Sequence, residues 1–460
     1  MTHGLRRVLI ANRGEIAVRV IRTCARLGIE TVLAASDADT GSLPARLADR
    51  VIAIGPPPAG ESYLSVAAIV RAAQAVRADA VHPGYGFLSE SPRLAQALAA
   101  AGVVFIGPEP PTLAVTGDKA AAREQATAAG LAVLPGTRAG LDPAAAADAA
   151  AMARIGFPAL VKAAGGGGGR GLRVVRDAAG LGDAVALASA EADAVFRDPR
   201  VYIERYVSPA RHVEVQILGD GERVIHLGDR DCSVQRRYQK LIEEAPAPGL
   251  PEAMREELHR AAVTLARHLR YRGAGTVEFL LDVARGAFYF LEVNARIQVE
   301  HPVTEAITGL DLVAEQIWIA EGRPLRLRQD DVDFAGHAIE CRLNAEDPAR
   351  GFAPSPGTVT AATFPAGPAI RVDTYVQAGS AVPPHYDSLL AKVITRGDCR
   401  DQAIAAMRGA LDRCQVTGIA TNVALHQALI ATPEFRRGGV DTSYLERQMR
   451  LATAGGAASG

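Results

Sequence analysis

The stretch GAFYFLEVNARIQVEHP, residues 286–302, decides the fold that we predict. It begins with the alternation of a β-strand, in which every second side chain points to the same face. Continuing that period predicts that the face begun by Phe288 and Phe290 also carries the polar side chains of Glu292, Asn294, Arg296, Gln298 and Glu300. Two carboxylates, a guanidinium and two amides are unusual on one side of a half-buried strand. The stretch therefore predicts a strand with a chemical function.

A second strand is predicted just upstream, at 277–281 (VEFLL), with a short turn at 284–286. Folding the two strands as a hairpin brings Glu278 close to Glu292. Two adjacent carboxylates repel each other unless a cation lies between them, and oxygen ligands without Cys or His favour magnesium. Solvated charges on an exposed sheet face are the alternative. The flanking apolar residues predict a buried sheet, in which charges need partners, so we favour a metal site.

Size and composition restrict the class of protein. The 460 residues are enough for about three domains of ~150 residues. The 50 basic and 51 acidic residues almost cancel, so we expect binding to neither nucleic acid nor an anionic membrane. We also expect no signal peptide and no membrane span. The five cysteines have no close pairs, which favours reduced thiols and a cytoplasmic α/β protein.

The first part of the chain alternates strands and helices. Apolar strands are predicted at 7–11, 31–35, 51–54 and 80–82, with a helix at about 15–27. This order predicts a parallel, doubly wound sheet up to about residue 114. Only Gly14 marks the first turn, so the dinucleotide fingerprint is absent there. The loop HPGYGFLSES, residues 82–91, either lines a ligand crevice or closes the domain edge with Tyr85 and Phe87.

The run GGGGGRG, residues 165–171, lies between two predicted strands, 158–162 and 172–175. A strand after the glycines argues against a dinucleotide-binding turn, and the absence of G-K-[ST] excludes a Walker P-loop. The remaining interpretations are a phosphate-binding lid, assisted by Lys162 and Arg170, or a flexible linker. We favour the lid, because linkers seldom join two apolar strands.

The rest of the chain continues this mixed pattern. Strands are predicted at 201–207 and 212–218, and helices begin near Lys119 and cover 144–153, 251–270, 310–321 and 401–414. The basic stretch 230–244 is either a solvated face or an anion-binding segment with Gln235, Arg236 and Lys240. Short strands and Pro/Gly turns from about residue 334 predict a mostly β third domain.

Taken together, the sequence resembles biotin carboxylase, a member of the ATP-grasp superfamily, over about residues 5–447. The resemblance rests on six stretches in the family's order: ANRGEIAVR (11–19), HPGYGFLSE (82–90), GGGGGRG (165–171), RDCSVQRR (230–237), RIQVEHPVTE (296–305) and RLNAEDP (342–348). It implies a doubly wound parallel-sheet domain at 1–114 and an ATP-grasp domain at 115–334 with a mobile glycine-rich lid at about 134–205. A mostly β domain at 335–447 and a flexible tail at 448–460 would follow.

The resemblance also implies an activity. This is the carboxylation of biotin by bicarbonate and ATP through carboxyphosphate, with release of ADP and phosphate and with Mg²⁺ or Mn²⁺ as the metal. Because no Met-Lys-Met stretch is present, biotin is expected on a separate carrier protein. A carboxyltransferase subunit would complete an acetyl-CoA carboxylase of fatty acid biosynthesis, or a related acyl-CoA or pyruvate carboxylase. The family also implies a homodimer.

Site residues follow from the resemblance, position by position. It implies that ATP is held by Lys119, Lys162, Gly166, Gly167, Gly168, Glu204, Arg205, Val207, His212, Gln235 and Tyr238, and the metal by Glu278, Glu292 and Asn294. It implies that bicarbonate lies at Arg296, Gln298 and Val299, with Glu300 as the base, Lys240 against carboxyphosphate, Arg342 at the biotin enolate and Tyr85 beside the ureido ring. A neighbouring Arg296 would lower the pKa of Glu300.

One departure from the family pattern matters, whereas Val293 and Ala295, which also differ from the family, are expected to alter packing only. Tyr238 stands where the family usually has His, and Tyr cannot become cationic near neutral pH. Two other interpretations stay open at this point, and Tyr238 favours only the second of them. One is another ATP-grasp ligase, such as a carbamoyl-phosphate or amino-acid ligase. The other is a nucleotide-binding regulatory subunit that has lost turnover.

Overall fold

The computed structural model describes residues 4–137, 154–164 and 172–457. Its strands are β1 Arg7–Ile10, β2 Glu30–Ser36, β3 Arg50–Gly55, β4 Ala80–His82, β5 Val104–Phe105, β6 Ala159–Ala163, β7 Arg173–Val175, β8 Val201–Arg205, β9 Ala210–Asp220, β10 Val224–Arg236, β11 Gln239–Ala245, β12 Arg272–Asp282, β13 Ala287–Asn294, β14 His337–Asn344, β15 Glu346–Asp347, β16 Ala353–Pro354, β17 Gly357–Thr358, β18 Ala361–Thr363, β19 Ile370–Thr374, β20 Ala381–Val382, β21 Leu389–Gly397 and β22 Gln415–Thr417.

The α-helices of the same residues are α1 Gly14–Leu27, α2 Leu43–Leu47, α3 Val66–Ala75, α4 Pro92–Ala100, α5 Pro110–Gly117, α6 Lys119–Ala128, α7 Leu181–Phe196, α8 Glu252–His268, α9 His301–Thr308, α10 Leu312–Ala320, α11 Arg400–Leu411, α12 Val423–Ala431, α13 Pro433–Arg437 and α14 Tyr444–Ala457. Two stretches with a sequence prediction, the helix at 144–153 and the glycine run at 165–171, lie outside the described residues.

The N-terminal sheet is the parallel, doubly wound sheet that the sequence predicts. Its five strands have the order β3-β2-β1-β4-β5, and every neighbouring pair is parallel. Alternate residues of β1 pack on opposite faces, because Val8 and Ile10 contact the α1 side and Leu9 contacts the α3 and α4 side. Burial on both faces explains why β1 is a continuous apolar run.

A single antiparallel sheet forms the centre of the molecule. Its eight strands have the order β13-β12-β9-β10-β11-β14-β21-β19. The pairing of β11 with β14 joins the central section of the chain to the C-terminal section within one sheet. Strands far apart in the sequence thereby bring their side chains onto one face, where the candidate site lies.

The C-terminal section is less β-rich than predicted. Helices α11 to α14 follow or flank its strands, and Met407, Leu411, Leu429 and Tyr444 pack with the sheet residues in one apolar core. Of these helices only α11 was predicted. Helices α12 and α13, of 9 and 5 residues, are too short for a long periodic pattern. The predicted tail at 448–460 begins inside α14, which continues to Ala457.

The predicted hairpin is confirmed, with a change of face. Strands β12 and β13 are antiparallel, and Glu278 lies opposite Glu292. A bulge at Leu291 separates that pair from the next pair, Phe279 with Phe290. The extra residue inverts the alternation, so Phe290 packs in the core while Glu292 lines a cavity on the opposite face. The prediction that Phe290 and Glu292 share a face was therefore wrong.

The strand geometry also ends earlier than the extrapolated period. Strand β13 stops at Asn294, and residues 295–300 form an irregular turn before α9. Arg296, Gln298 and Glu300 still converge, because the turn and the N-terminus of α9 direct them toward the same cavity wall. Their proximity results from the bend of the chain and not from strand alternation.

The basic stretch 230–244 is a hairpin made of β10 and β11. Its turn consists of Arg237 and Tyr238, whose φ values are 46° and 67°. Positive φ at both central residues is what a two-residue hairpin loop of type I′ requires. The usual Asn-Gly signal is absent from the sequence, which explains why the hairpin was not predicted.

A three-stranded sheet of order β7-β6-β8 forms the section that was predicted as the lid. Helix α7 covers it, with Val185 and Ala188 packing on Val161 and Ile203. Lys162 on β6 and Glu204 on β8 lie on the side that faces the central sheet cavity.

Among the described residues, no helix has both the length and the apolar character needed to cross a membrane.

Candidate active site

A cavity of about 770 Å³ lies between the central sheet, the β6–β8 sheet and the loop that follows β4. It brings together most of the predicted site residues: Tyr85, Lys119, Lys162, Glu204, Arg205, Val207, His212, Gln235, Tyr238, Lys240, Glu278, Glu292, Asn294, Arg296, Gln298, Val299 and Arg342. Glu300 lies just beneath the wall and is completely buried. Gly166, Gly167 and Gly168 lie outside the described residues.

Three carboxylates form a row across three neighbouring strands. Glu214 on β9 is opposite Glu278 on β12, which is in turn opposite Glu292 on β13. Facing pairs lie about 5 Å apart at Cβ, so the three side chains share one face. The other face of β9 carries Val213 and Val215, which pack in an apolar core with α8. Such a row of acids on a buried face requires cations.

Lys240 is the cation at the centre of this row. Its Nζ donates to Glu214 at 2.6 Å, to Glu278 at 2.7 Å and to Glu300 at 2.8 Å. Burial lowers the pKa of Lys240, but the three carboxylates outweigh burial and raise it well above its usual value. Lys240 is therefore a fixed positive charge at the floor of the cavity.

Glu300 is held as an anion. One of its oxygens accepts from Arg342 at 2.8 Å and the other accepts from Lys240. Burial raises the pKa of Glu300, but Lys240, Arg342 and Arg230 together hold it well below its usual value. The direction of this shift was predicted correctly and its cause was not, because Arg296 was the expected partner.

Arg296 instead organises the adjoining wall. Its guanidinium donates to Glu90 at 3.1 Å, to Gln298 at 2.9 Å and to Asn294 at 3.0 Å. Asn294 and Gln298 in turn donate to Glu278, at 2.8 and 3.2 Å. Each amide thus has its oxygen toward Arg296 and its nitrogen toward a carboxylate, which fixes its orientation.

The two lysines predicted to bind nucleotide phosphates contact carboxylates. Lys119 donates to Glu292, and Lys162 is paired with Glu204, which also accepts from Arg123 at 3.0 Å. Burial lowers the pKa of Lys119, but Glu292 outweighs burial and raises it. The ammonium group of Lys119 therefore remains charged within the cavity. Either lysine can exchange its carboxylate partner for a phosphate oxygen.

The residues present fit a magnesium ion. Glu278 and Glu292 offer carboxylate oxygens on one face of the sheet, with the amide of Asn294 beside them. Nε2 of His212 lies 2.8 Å from Glu278. Burial lowers the pKa of His212, but Glu278 outweighs burial and raises it. His212, Lys119 and Lys240 are the present partners of these carboxylates, so a metal ion would replace cations that already contact Glu278 and Glu292.

Tyr85 and Tyr238 both line the cavity. The hydroxyl of Tyr85 donates to the buried carboxylate of Glu15 on α1. Tyr238 is 47% exposed at the tip of the β10–β11 hairpin. Burial of the remaining part raises the pKa of its phenol, so Tyr238 is a neutral hydrogen-bonding group near neutral pH.

Sequence reasoning missed several residues that determine the electrostatics of the site. Arg230 is completely buried and donates to Glu214 at 2.6 Å, to Gln216 at 2.7 Å and to Thr304 at 2.9 Å. Glu214 and Gln216 continue the alternation begun by His212 in HVEVQIL, so this signal was present in the sequence. Glu90, Arg123 and Glu243 carry no such local signal, because their partners are distant in the chain.

The fold and the site define an ATP-grasp enzyme. Residues 118–328, which contain the carboxylate row, Lys119 and Lys162, match the family described as the carbamoyl-phosphate synthase L chain, ATP binding domain. Residues 4–113 match the biotin carboxylase N-terminal domain, and residues 340–447 match the biotin carboxylase C-terminal domain. The chain belongs to the biotin carboxylase family.

Individual relatives cover nearly the whole chain. Biotin carboxylase from Pseudomonas aeruginosa is 50% identical over 449 residues, which is 97% of this chain and 99% of that protein. The crystal structure of a biotin carboxylase complex from Campylobacter jejuni has a TM-score of 0.93 and 42% identity, over 96% of this chain and 99% of that chain.

A second structural relative was solved with ligands. It is the biotin carboxylase domain dimer of 2-oxoglutarate carboxylase from Hydrogenobacter thermophilus, in complex with MgADP, ADP and bicarbonate. Its TM-score is 0.94 and its identity 42%, over 98% of this chain and 99% of that chain.

Proposed function

We propose that this chain carboxylates biotin, carried on a separate protein, with bicarbonate and ATP. The observation that carries the proposal is the ion cluster at the floor of the cavity, in which Lys240 joins Glu300 to the carboxylate row and Arg342 binds the other oxygen of Glu300. The cluster combines an ionised, buried base with two fixed cations. This is what a reaction between two anions needs.

The first step joins bicarbonate to the γ-phosphorus of ATP. Glu300 accepts the proton of bicarbonate, a bicarbonate oxygen bonds to phosphorus, and the bond from phosphorus to ADP breaks. Arg296, Gln298 and Val299 hold bicarbonate, and Lys240 contacts the carboxyphosphate that forms. When bound, magnesium neutralises phosphate charge, and Glu278, Glu292 and Asn294 would hold it.

The second step transfers carbon dioxide. Carboxyphosphate breaks into carbon dioxide and phosphate, the phosphate removes the proton from N1 of biotin, and N1 bonds to carbon dioxide. Arg342 stabilises the enolate of the biotin ureido group, with Tyr85 beside the ring. Carboxyphosphate would hydrolyse in water, so a lid at about 134–205 that closes over the cavity has a chemical purpose.

The nucleotide occupies the side of the cavity that carries Lys119 and Lys162. These lysines and the glycines Gly166, Gly167 and Gly168 bind the phosphates. Glu204, with the backbone of Arg205 and Val207, contacts adenine, while His212, Gln235 and Tyr238 contact ribose and phosphates. The lining of one cavity by all of these groups except the glycines supports the assignment.

The partners follow from the chemistry. A biotin carrier protein brings the acceptor, and a carboxyltransferase subunit passes the carboxyl group to acetyl-CoA, another acyl-CoA or a keto acid. The homodimer and the cytoplasmic location stay predictions. The domain boundaries at 114 and 334 are likewise part of the proposal. The second boundary divides the sequence but not the central sheet, because β11 and β14 pair across it.

The test is ADP release from Mg-ATP by the purified chain, with bicarbonate and free biotin each added or omitted. We expect release that requires bicarbonate and rises with biotin. Release that needs bicarbonate but ignores biotin would indicate a different acceptor. ATP binding without any release would favour a regulatory subunit, which Tyr238 in place of the family's His makes the second candidate.

A further inference from the structure

One buried ammonium group joins three distant parts of the chain beside the cavity. Lys392 on β21 is completely buried, and its Nζ donates to the carbonyl oxygen of Val299 at 2.8 Å. The same Nζ lies 3.1 Å from Oε1 of Glu15 in the first turn of α1. A buried charge is stable only with such partners. Lys392 therefore connects β21, the turn before α9 and helix α1 at a single point.

The contact with Val299 affects the position of Glu300, the proposed base. The carbonyl of Val299 and the amide of Glu300 belong to one planar peptide group. This peptide lies in the irregular turn 295–300, where no strand ladder fixes the backbone of the described chain. Holding its carbonyl sets the direction in which the Glu300 side chain approaches Lys240 and Arg342.

The contact with Glu15 bears on the opposite wall. Oε1 of Glu15 accepts from both Lys392 and the hydroxyl of Tyr85, and Tyr85 lines the cavity. Oε2 of Glu15 is buried and has no hydrogen-bond partner among the described residues. The carboxylate is thus compensated mainly by Lys392, and the position of the Tyr85 hydroxyl depends on that pair.

The neighbours of Lys392 in the sheet support the same interpretation. Lys392 lies directly opposite Arg342 on β14 and opposite Asp373 on β19. Asp373 accepts two hydrogen bonds from Arg371, at 2.9 Å from Nε and 2.6 Å from Nη2. Its carboxylate lies 4.0 Å from Nζ of Lys392. The ammonium group of Lys392 therefore contacts Val299 and Glu15 and not Asp373, while its strand position lies beside Arg342.

We propose that Lys392 is a positioning residue for the reaction. It fixes the Val299–Glu300 peptide on the bicarbonate side of the cavity and, through Glu15, the Tyr85 ring on the biotin side. The proposal rests on the proposed function, because the two sides are assigned there. Its consequence is that one buried charge sets the relative placement of two substrates that never contact it.

The test removes the charge of Lys392 without leaving the Glu15 carboxylate uncompensated. Lys392→Met alone would bury an uncompensated Glu15 carboxylate, so the informative variant is Glu15→Gln with Lys392→Met. We expect the KM for bicarbonate to rise about tenfold, as for loss of one hydrogen bond to a charged group, and the KM for biotin to rise about threefold. The dissociation constant of ADP should stay within about twofold, because the nucleotide contacts lie elsewhere.

Two further variants separate positioning from stability. Tyr85→Phe removes only the hydroxyl that reaches Glu15, so it should raise the KM for biotin and leave that for bicarbonate unchanged. Arg255→Met breaks an ion pair with the buried Asp229, 2.7 Å away, on the α8 side of the central sheet. It should lower the thermal midpoint and leave both KM values unchanged.

The outcomes are distinguishable. A wild-type chain whose ADP release ignores bicarbonate and biotin would remove the proposed function itself. A wild-type chain with both dependences, together with a folded double variant of unchanged KM values, would remove only the role of Lys392. A parallel weakening of ADP binding would show general distortion and would also overturn that role.

Discussion

Nζ of Lys240 lies 2.8 Å from Oε1 of Glu300, and Arg342 contacts the other oxygen of the same carboxylate. The base is therefore held between two cations, and both keep its proton off at neutral pH. A base that is ionised in this way can accept the proton of bicarbonate in the proposed reaction. Because each charged group has identified partners, each single substitution has a definite expected effect.

Glu300→Gln should lose most turnover while nucleotide binding survives. The amide has nearly the same size, but it cannot accept the bicarbonate proton, and a general base contributes about 10²- to 10⁴-fold to a rate. We expect kcat to fall at least a hundredfold, with the dissociation constant of ADP within about threefold of wild type. Single-turnover ADP formation and equilibrium binding measure the two quantities. Unchanged turnover would remove Glu300 as the base.

Lys119→Met should strengthen metal binding in the absence of nucleotide. Lys119 now neutralises Glu292, so a metal ion must compete with it for that carboxylate. Titration with Mn²⁺, followed by the electron paramagnetic resonance of the free ion, should show affinity that rises about tenfold in the variant. With ATP present the order should reverse, because a phosphate contact is lost.

The matched control for that experiment is Lys162→Met. Lys162 lines the same cavity but is paired with Glu204, so its removal should change Mn²⁺ affinity much less. Equal effects of the two substitutions would mean that general charge, and not the contact with Glu292, controls the metal.

Tyr238→His should make the KM for ATP depend more strongly on pH than it does in the wild type. A histidine at the exposed hairpin tip would titrate near its usual pKa of about 6.5, whereas the phenol of Tyr238 stays neutral. We expect the KM for ATP in the variant to fall about threefold between pH 8 and pH 6, while the wild-type value changes less. Tyr238→Phe serves as the control. A wild-type profile as steep as that of the variant would contradict the prediction.

Glu243→Gln should change how stability depends on pH. Burial and the nearby Glu300 raise the pKa of Glu243 from 4.5 to about 7, although Arg342 and Lys240 oppose this. Between these pH values the folded protein keeps a proton that the unfolded chain has lost, so the wild type loses stability as pH rises from about 4.5 to 7. Relative to wild type, the free energy of unfolding of the variant should rise by on the order of 3 kcal/mol across that pH interval.

Thermal unfolding at pH 5 and pH 8 measures this difference, and a further measurement below pH 4.5 covers the range in which the control titrates. The control is Glu244→Gln on the same strand, because His337 and Arg400 outweigh burial and lower the pKa of Glu244. Its shift has the opposite sign, so Glu244→Gln should lose stability relative to wild type as pH rises through the acidic range. Parallel behaviour of the two variants would contradict the assigned shifts.

Local sequence patterns predicted the parts of the fold whose cause is local. The parallel N-terminal sheet, the β12–β13 hairpin and the pairing of Glu278 with Glu292 all follow from alternation or periodicity over a few residues. The bulge at Leu291 was missed because nothing in the sequence marks an inserted residue, and one inserted residue exchanges the two faces of a strand.

Most of the residues predicted for the site line one cavity, but the pairing of their charged groups was not predicted. Motif resemblance supplied Lys240, Arg296 and Glu300, and all three meet at one cavity wall. The partner of Glu300 was nevertheless assigned to Arg296, its neighbour in the chain, whereas the structure gives Arg296 to Glu90. Sequence proximity is a poor guide to charge pairing when a turn separates the groups.

The sequence by itself determined the alternating elements of the N-terminal sheet, the hairpin of acids and the family motifs, because these depend on side chains within a few residues of each other. Only the tertiary structure decided which cations neutralise which acids. Lys240 and Glu300 are separated by 60 positions, and Lys392 and Val299 by 93. Contacts over such separations depend on how the eight strands of the central sheet are ordered. That order is fixed by burial and pairing of the whole chain, which no local pattern encodes.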